Sequence, residues 1–213
     1  MDFPMSEMEY AEKEKMLREL TKTPPLIHAT MENDLPWVEI LLQKNGVNID
    51  VQDELGNSPL MWSIIDDNSE MTKLLLGHGA DTNIENNDGW TPLCQAALYG
   101  ETEIVKLLVK KAGANVNWII PTMGWTPLIC AVLRDDLESA RLCIEAGADV
   151  NAADTDGFTS LIYACTGGSR ELVELLLSAG ADRYHLSQSG ESALTRAQGK
   201  DRQDIVRLLQ EKL

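Results

Sequence analysis

Three histidines, His28, His78 and His185, and four cysteines, Cys94, Cys130, Cys143 and Cys165, are the side chains of this 213-residue sequence best suited to general-base, nucleophilic or metal chemistry. Such chemistry needs a nucleophile, a base and an orienting group converging on one pocket, or ligands at metal spacing. The histidines are far apart in the chain, and the cysteines form no CxxC pair and no spaced set with a histidine. That excludes a zinc-finger pattern and a disulfide framework and leaves reduced, buried thiols. Glu32 with Asp34 and Asp66 with Asp67 are neighbouring carboxylates of the kind helix ends commonly carry. The chain has no GxxxxGK[ST] phosphate loop, no GxGxxG and no HExxH. No catalytic set, metal site or cofactor is expected, and the remaining chemistry is that of recognition.

Charge narrows what could be recognised. Acidic residues outnumber basic ones 34 to 18, a net charge of −16. This balance repels nucleic-acid phosphates and anionic membranes and favours a basic partner. The excess is concentrated: residues 51 to 100 hold Asp53, Glu54, Asp66, Asp67, Glu70, Asp81, Glu85 and Asp88 against the single base Lys73. With 44% hydrophobic and 24% charged residues the chain has a globular balance. Its start, MDFPMSEMEYAEKEK, lacks the basic-then-apolar order of a secretion signal, and no apolar run approaches the ~20 residues that span a bilayer. A soluble intracellular protein is expected, cytoplasmic or alternatively nuclear.

The elements that position these residues recur with a fixed period. PPLIHA at 24, SPLMWS at 58, TPLCQA at 91, TPLICA at 126, TSLIYA at 159 and SALTRA at 192 are spaced by 34, 33, 35, 33 and 33 residues. Each is followed by a second apolar stripe at helical spacing, such as MTKLLL at 71, IVKLLV at 104 and LVELLL at 172. GADTN, GANVN, GADVN and GADR then close successive units. Thr or Ser before proline starts a helix, because the hydroxyl satisfies an orphan amide and proline lacks one. Glycine just past a helix supplies the left-handed residue that ends it. Each unit therefore reads as helix, turn, helix and polar hairpin-like loop.

The pattern DGxTPLxxA followed by IVKLLLxxGADVN resembles the ankyrin repeat from residue 23 to 213. The resemblance implies an all-α solenoid of six helix-turn-helix repeats, about 23–55, 56–88, 89–123, 124–156, 157–189 and 190–213, behind an N-terminal capping helix within 1–22. It also implies a histidine after Thr-Pro-Leu, which this chain replaces with Ile27, Met61, Cys94, Ile129, Ile162 and Thr195. The hydrogen bonds that histidine supplies must be made differently. Terminal repeats need polar covers. Ser6 with Glu9 forms a capping box for a first helix whose Met8, Met16, Leu17 and Leu20 can lie on repeat one, and the last helix is polar at Arg202, Gln203, Asp204, Arg207, Gln210 and Lys212.

In similar proteins the loop tips and first helices line a concave binding face. Carried onto this chain, those positions include Trp90, Trp125 and Phe158 just after the turn glycines, and Asp66, Tyr99, Leu133 and Arg134 at the ends of first helices. Stacking would set the three rings along one edge. The residue three past the proline varies as Trp62, Gln95, Cys130, Tyr163 and Arg196, which predicts partial exposure. One loop departs from the polar tips: WIIPTMG, one residue longer, is apolar at Trp118, Ile119, Ile120 and Met123. Apolar area left in water forfeits about 25 cal/mol per Å², so such a finger marks a contact site or folds back as a satellite core. Asp66, Asp67 and Asp88 lie in the acidic block beside it. The resemblance further places Asn83, Asn117 and Asn151 where asparagine hydroxylases act in similar proteins.

The expected function is protein binding, as an adaptor or inhibitor that is monomeric alone and holds a partner with a basic and apolar segment. The alternative is an acidic assembly chaperone that shields a basic client, whose affinity would fall steeply with ionic strength. Interface energy concentrates in buried aromatic anchors, while rim carboxylates mainly steer encounter. On this reading Trp118→Ala with Trp125→Ala abolishes partner capture and leaves the thermal unfolding curve nearly unmoved. An unfolded double variant would instead mark the finger as core.

Overall fold

Hydroxyl, carboxylate and carboxamide side chains cap many of the helix starts. The structure, a computed structural model, describes residues 7–20, 23–111 and 113–210. Its helices are α1 (Glu7–Leu20), α2 (Pro25–Met31), α3 (Leu35–Gln43), α4 (Pro59–Ile65), α5 (Ser69–Gly77), α6 (Pro92–Tyr99), α7 (Thr102–Lys111), α8 (Pro127–Leu133), α9 (Leu137–Glu145), α10 (Ser160–Gly167), α11 (Arg170–Ser178), α12 (Ala193–Gly199) and α13 (Gln203–Gln210). Among the described residues there is no strand, only an isolated antiparallel bridge between Ala153 and Thr159. The all-α expectation holds. No described helix is long and apolar enough to cross a membrane. The chain divides into two compact units, Met1–Pro92 and Leu93–Leu213.

First helices start as the sequence predicts: the hydroxyls of Ser58, Thr126, Thr159 and Ser192 accept the amides of Met61, Ile129, Ile162 and Thr195. Second helices are capped as well, by Asp34, Asn68, Asp136 and Ser169, each accepting the amide three residues on. Between the two helices of a pair the chain turns through a left-handed residue, at Asn33 (φ 54°), Asp67 (φ 50°), Gly100 (φ 81°), Asp135 (φ 55°) and Asp201 (φ 53°). Asn and Asp tolerate that conformation better than other side chains. Repeat five differs, ending α10 at an extended Gly168. A Cβ there would sit 3.0 Å from the Ala164 carbonyl oxygen.

In the first unit, α2 packs on α3 and α4, and α4 on α5. Trp37, Met61, Ile64, Met71 and Leu75 are sealed inside. Helix α1 packs on α2, and its charged side chains reach α3 and the caps of that helix. Lys13 Nζ lies 4.2 Å from the Trp37 ring centroid and 3.5 Å from Asp34 Oδ2. Lys44 Nζ pairs with Glu14 Oε2. Met8, expected on repeat one, is instead 72% exposed, because α1 turns the Lys13 stem and not this methionine toward the repeat. Ser6 and the side chains of Met16, Leu17 and Leu20 lie outside the described residues.

The second unit repeats the scheme: α8 packs on α9 and α10, α10 on α11 and α12, and α12 on α13. Exposed Gln203, Asp204, Arg207 and Gln210 give α13 its polar outer side, while Lys212 lies outside the described residues. Loop tips interlock through backbone. Gly124 (φ 73°) sits so close to the next loop that a Cβ would meet the Thr155 amide nitrogen at 2.6 Å, and that amide donates to the Met123 carbonyl at 3.1 Å. Within the first unit Gly56 and Asn87 do the same, with Asn87 donating to Leu55 at 3.0 Å.

All four thiols are free and buried, as expected. The hydrogen bond with Cys94 and then burial push the Cys130 thiol well above its usual range. Burial pushes Cys143 and Cys165 up to about 12. At neutral pH all three therefore remain thiols, and only the thiolate reacts. Iodoacetamide should leave the folded chain unlabelled over the time in which the urea-unfolded chain takes up four adducts by intact mass. Rapid labelling of the folded chain would contradict this packing.

Candidate functional site

The finger of the second unit is built on a substitution at one position. In ordinary tips the residue four before the ring is an acceptor: Asp154 Oδ1 takes the amides of Asp156 (2.9 Å) and Phe158 (2.8 Å), and the Ser187 hydroxyl takes that of Glu191 (3.1 Å). In the finger, which is one residue longer, the equivalent position lies five before Trp125 and is Ile120, fully buried at 0% exposure. The turn closes on backbone alone, Ile120 donating to the Trp125 carbonyl at 2.9 Å and Gly124 to the Ile120 carbonyl at 2.7 Å. Ile120, expected as a contact residue, is thus withdrawn from any interface, because a β-branched side chain with no polar atom replaces the acceptor and fills the core. Its neighbour is left outside: Ile119 is 55% exposed, with Trp118 and Met123 half-buried. The finger is part anchor and part exposed apolar tip.

The recurring rings of this unit share one network. Trp125 and Phe158 are half-buried. The Tyr163 hydroxyl donates to Asp154 Oδ2 at 2.5 Å and is also hydrogen-bonded by the Trp125 side chain. Phe158 lies 5.7 Å from the Tyr163 ring, and the Arg196 guanidinium stands 4.8 Å above the Phe158 centroid. Arg196 also reaches Glu191 at 3.5 Å. Burial, reinforced by the Asp154 carboxylate, pushes the Tyr163 hydroxyl up to about 12, the Trp125 bond pulling the other way. The rings past the turn glycine therefore lean on the following repeat.

Sequence spacing predicts partial exposure three past each proline, which holds for Trp62, Tyr163 and Arg196. Gln95 and Cys130 are buried. The position faces the tip acceptor, so its exposure depends on the pair formed there: Trp62 and Tyr163 reach out to Asp53 and Asp154, whereas Cys130 is too short to reach out and opposes Ile120 in sequence.

Tyr99 (46% exposed) and Leu133 (38% exposed) end α6 and α8, and Arg134 caps α8 in the open. A Cβ at Gly100 would lie 3.7 Å from Arg134 Nε, so these helix ends adjoin and form one surface. In the first unit Asp66, Asp67 and Asp88 are exposed, Asp66 as the C-cap of α4 and Asp67 as the left-handed turn residue. Trp90 is half-buried, its amide donating to Asn86 Oδ1 at 3.0 Å. Trp62 Nε1 donates to Asp53 Oδ2 at 2.8 Å, and Leu55 on that tip is 62% exposed. Sequence reasoning missed Leu55, together with Tyr184 (81%) and Leu186 (60%) in the last loop. The signal was an apolar residue within a polar tip. Asn117 and Asn151 are engaged: their side chains donate to the Gly147 and Gly180 carbonyls and accept from Asp149 and Asp182. Among the described residues no three His, Cys, Asp or Glu side chains gather to hold a metal ion.

A family model for ankyrin repeats in three copies matches residues 26–119, 66–154, 119–185 and 136–212. The chain belongs to the ankyrin-repeat family. Proteins of this family are in general protein-binding scaffolds rather than enzymes. Similar proteins include an ankyrin repeat protein of fowlpox virus, 38% identical over 94 residues, covering 43% of this chain and 28% of that protein. The chain spans less than a third of the length of the first curated relatives it matches. Among solved structures, the ankyrin repeat protein EF0377 is 29% identical with a TM-score of 0.81, over 88% of this chain and 97% of that one. A chain from the structure of a predatory endopeptidase of Bdellovibrio bacteriovorus in complex with an immunity protein is 30% identical with a TM-score of 0.77, over the same 88% and 97%.

The Tyr163 pair gives the ankyrin-repeat chain a measurable signature. A raised folded-state value means the stabilisation is fully present below the unfolded tyrosine pKa near ~10 and is lost as pH rises through about 12. Asp154→Asn keeps Oδ1 but replaces the acceptor facing the phenol, so ultraviolet titration should show Tyr163 ionising below about 12 while staying above a free tyrosine. An unmoved titration would refute the pair.

Proposed function

We propose that this ankyrin-repeat chain is a non-catalytic protein-binding module, an adaptor or inhibitor, that holds its partner on the inner-helix ends and loop tips of its central repeats. The observation that carries the reading is the finger. Ile120 and its backbone turn fix the loop, so the exposure of Ile119 is built in rather than a loose end. Tyr99, Leu133 and Arg134 extend the surface, Tyr99 and Arg134 being of the kinds that dominate interface energies and Leu133 adding apolar area. Trp118 and Met123 flank the tip. Trp90, Trp125 and Phe158 serve as half-buried supports, Trp125 and Phe158 through the Tyr163 network. Asp66, Asp67 and Asp88 steer a partner with a basic segment. The likeness to a chain from an endopeptidase–immunity protein complex supports the inhibitor form, in which the held partner is an enzyme kept from its substrate. The proposed setting is the cytoplasm, with the chain monomeric alone.

The second reading, an acidic assembly chaperone, is favoured by the net charge of −16. Salt separates the two, since a complex held by exposed charges weakens as the Debye length falls and an apolar-anchored one weakens little.

Because Trp125 bonds to Tyr163, truncating it also disturbs the fold, so the cleaner variant is Ile119→Asp. Partners are captured on immobilised wild-type and variant chains at low and high salt and identified by mass spectrometry. Ile119→Asp should reduce affinity for the captured partner by roughly 30-fold, the equivalent of a ~2 kcal/mol anchor, with an unchanged melting curve. A partner that survives Ile119→Asp and Tyr99→Ala but is released by salt would replace the adaptor reading with the chaperone one.

A further inference from the structure

We propose that Asn45 is a site of spontaneous, backbone-assisted deamidation that slowly converts the edge of repeat one to an aspartyl or isoaspartyl form. Asn45 is the one asparagine in the sequence followed by glycine. The pair lies in the turn that ends α3: the Val47 amide donates to the Lys44 carbonyl at 3.4 Å, and Gly46 occupies the third turn position with φ 80°. Both residues are exposed, and a Cβ placed on Gly46 would meet nothing within 4 Å. In a β-turn the third residue's amide is not the one that closes the turn. Among the described residues the Gly46 amide donates to no acceptor.

The chemistry follows from that free amide. Hydroxide removes the Gly46 N–H proton, and the nitrogen attacks Cγ of Asn45. The N–Cγ bond forms, the Cγ–Nδ2 bond breaks, and ammonia leaves with a proton from water. The product is a five-membered cyclic imide. Water then opens it at either carbonyl, giving an aspartyl residue, or an isoaspartyl residue whose main chain runs through the side-chain carboxyl carbon. Glycine is the neighbour that permits ring closure, having no Cβ to crowd the attacking nitrogen.

The turns elsewhere show why this position stands apart. Asp88–Gly89 and Asp156–Gly157 could form the same ring with loss of water. There, glycine is the fourth turn residue, its amide held on the Asn86 carbonyl at 2.9 Å and the Asp154 carbonyl at 3.0 Å. A one-residue shift of glycine within the turn decides whether its nitrogen is tied or free. Asn57 and Asn68 precede serines, but Asn57 is 5% exposed and Asn68 caps α5, accepting from Met71 at 2.9 Å. The converted site would place a new carboxylate beside Lys44, which pairs with Glu14 of α1, on a groove of about 300 Å³ lined by Glu14, Pro24, Leu41 and Lys44.

The test incubates the full chain at mildly alkaline pH. Peptide mapping by mass spectrometry and labelling with protein isoaspartyl methyltransferase then locate the products. Asn45 should convert ahead of every other asparagine, in proportion to hydroxide, and appear as an acidic species on ion exchange. Asn45→Gln should remove that species and leave the melting curve unchanged. In urea the Asp88–Gly89 and Asp156–Gly157 pairs should begin to isomerise, while Asn45 changes little. Conversion of another asparagine before Asn45, or isomerisation of either Asp–Gly pair in the folded chain at the Asn45 rate, would overturn the assignment.

Discussion

A single helix pair of this size cannot bury its own apolar face, so each repeat depends on the next for its core. The contact that makes this possible is the approach of consecutive loop tips. At Gly56, Gly124 and Gly157 the backbone of the following loop lies where a Cβ would be, and a glycine with positive φ is the residue that admits it. The main-chain bonds between tips, from Asn87 to Leu55, Thr155 to Met123 and Gln188 to Asp156, then set the register within each unit. Leu60 and Met61 in the first unit, and Leu128, Ile129, Leu161 and Ile162 in the second, are buried where the tips fix their helices.

The missing histidine after Thr-Pro-Leu is compensated in two ways. Its position is handed to the core, with Ile27, Met61, Cys94, Ile129 and Ile162 all buried. The polar bracing moves to the tip acceptor and the side chain nine residues later. Asp53 with Trp62 and Asp154 with Tyr163 are the two forms, one an indole donor and one a phenol. In each carboxylate Oδ2 accepts from the ring while Oδ1 holds the following backbone amides, so each carboxylate orders the turn and orients a ring. Repeat four abandons the device, with Ile120 and Cys130 occupying the corresponding positions, both buried.

The helices and their order were legible in the sequence because proline, hydroxyl caps and apolar spacing all repeat with one period. Side-chain direction within the short first helices was not. Gln95 and Cys130 share a register position with Trp62 and Tyr163 yet are buried, so helical phase alone does not set exposure there. Ile120 misled for the same reason: in a run of apolar residues, spacing does not say which one turns inward. Asp67 read as part of an acidic surface, whereas the left-handed turn already accounts for its side-chain type. Met8 belongs to a helix fastened by lysines, an arrangement that apolar counting overlooks.

These outcomes separate structural demand from surplus. Trp125 and Phe158 looked surplus because they follow a turn glycine, but Trp125 bonds to Tyr163 of the next repeat, and Phe158 lies between Tyr163 of its own repeat and Arg196 of the next, which gives both rings bracing work. Ile119, Tyr99, Leu133 and Leu55 have no such account: each is a large apolar side chain substantially in water, at a tip or helix end whose backbone is satisfied without it. Large apolar area of this kind opposes solubility, and a polar residue would serve the fold equally well at each position. A fold whose core and register are already determined gains nothing from them, which marks these side chains, rather than the more conspicuous tryptophans, as the ones spare for recognition.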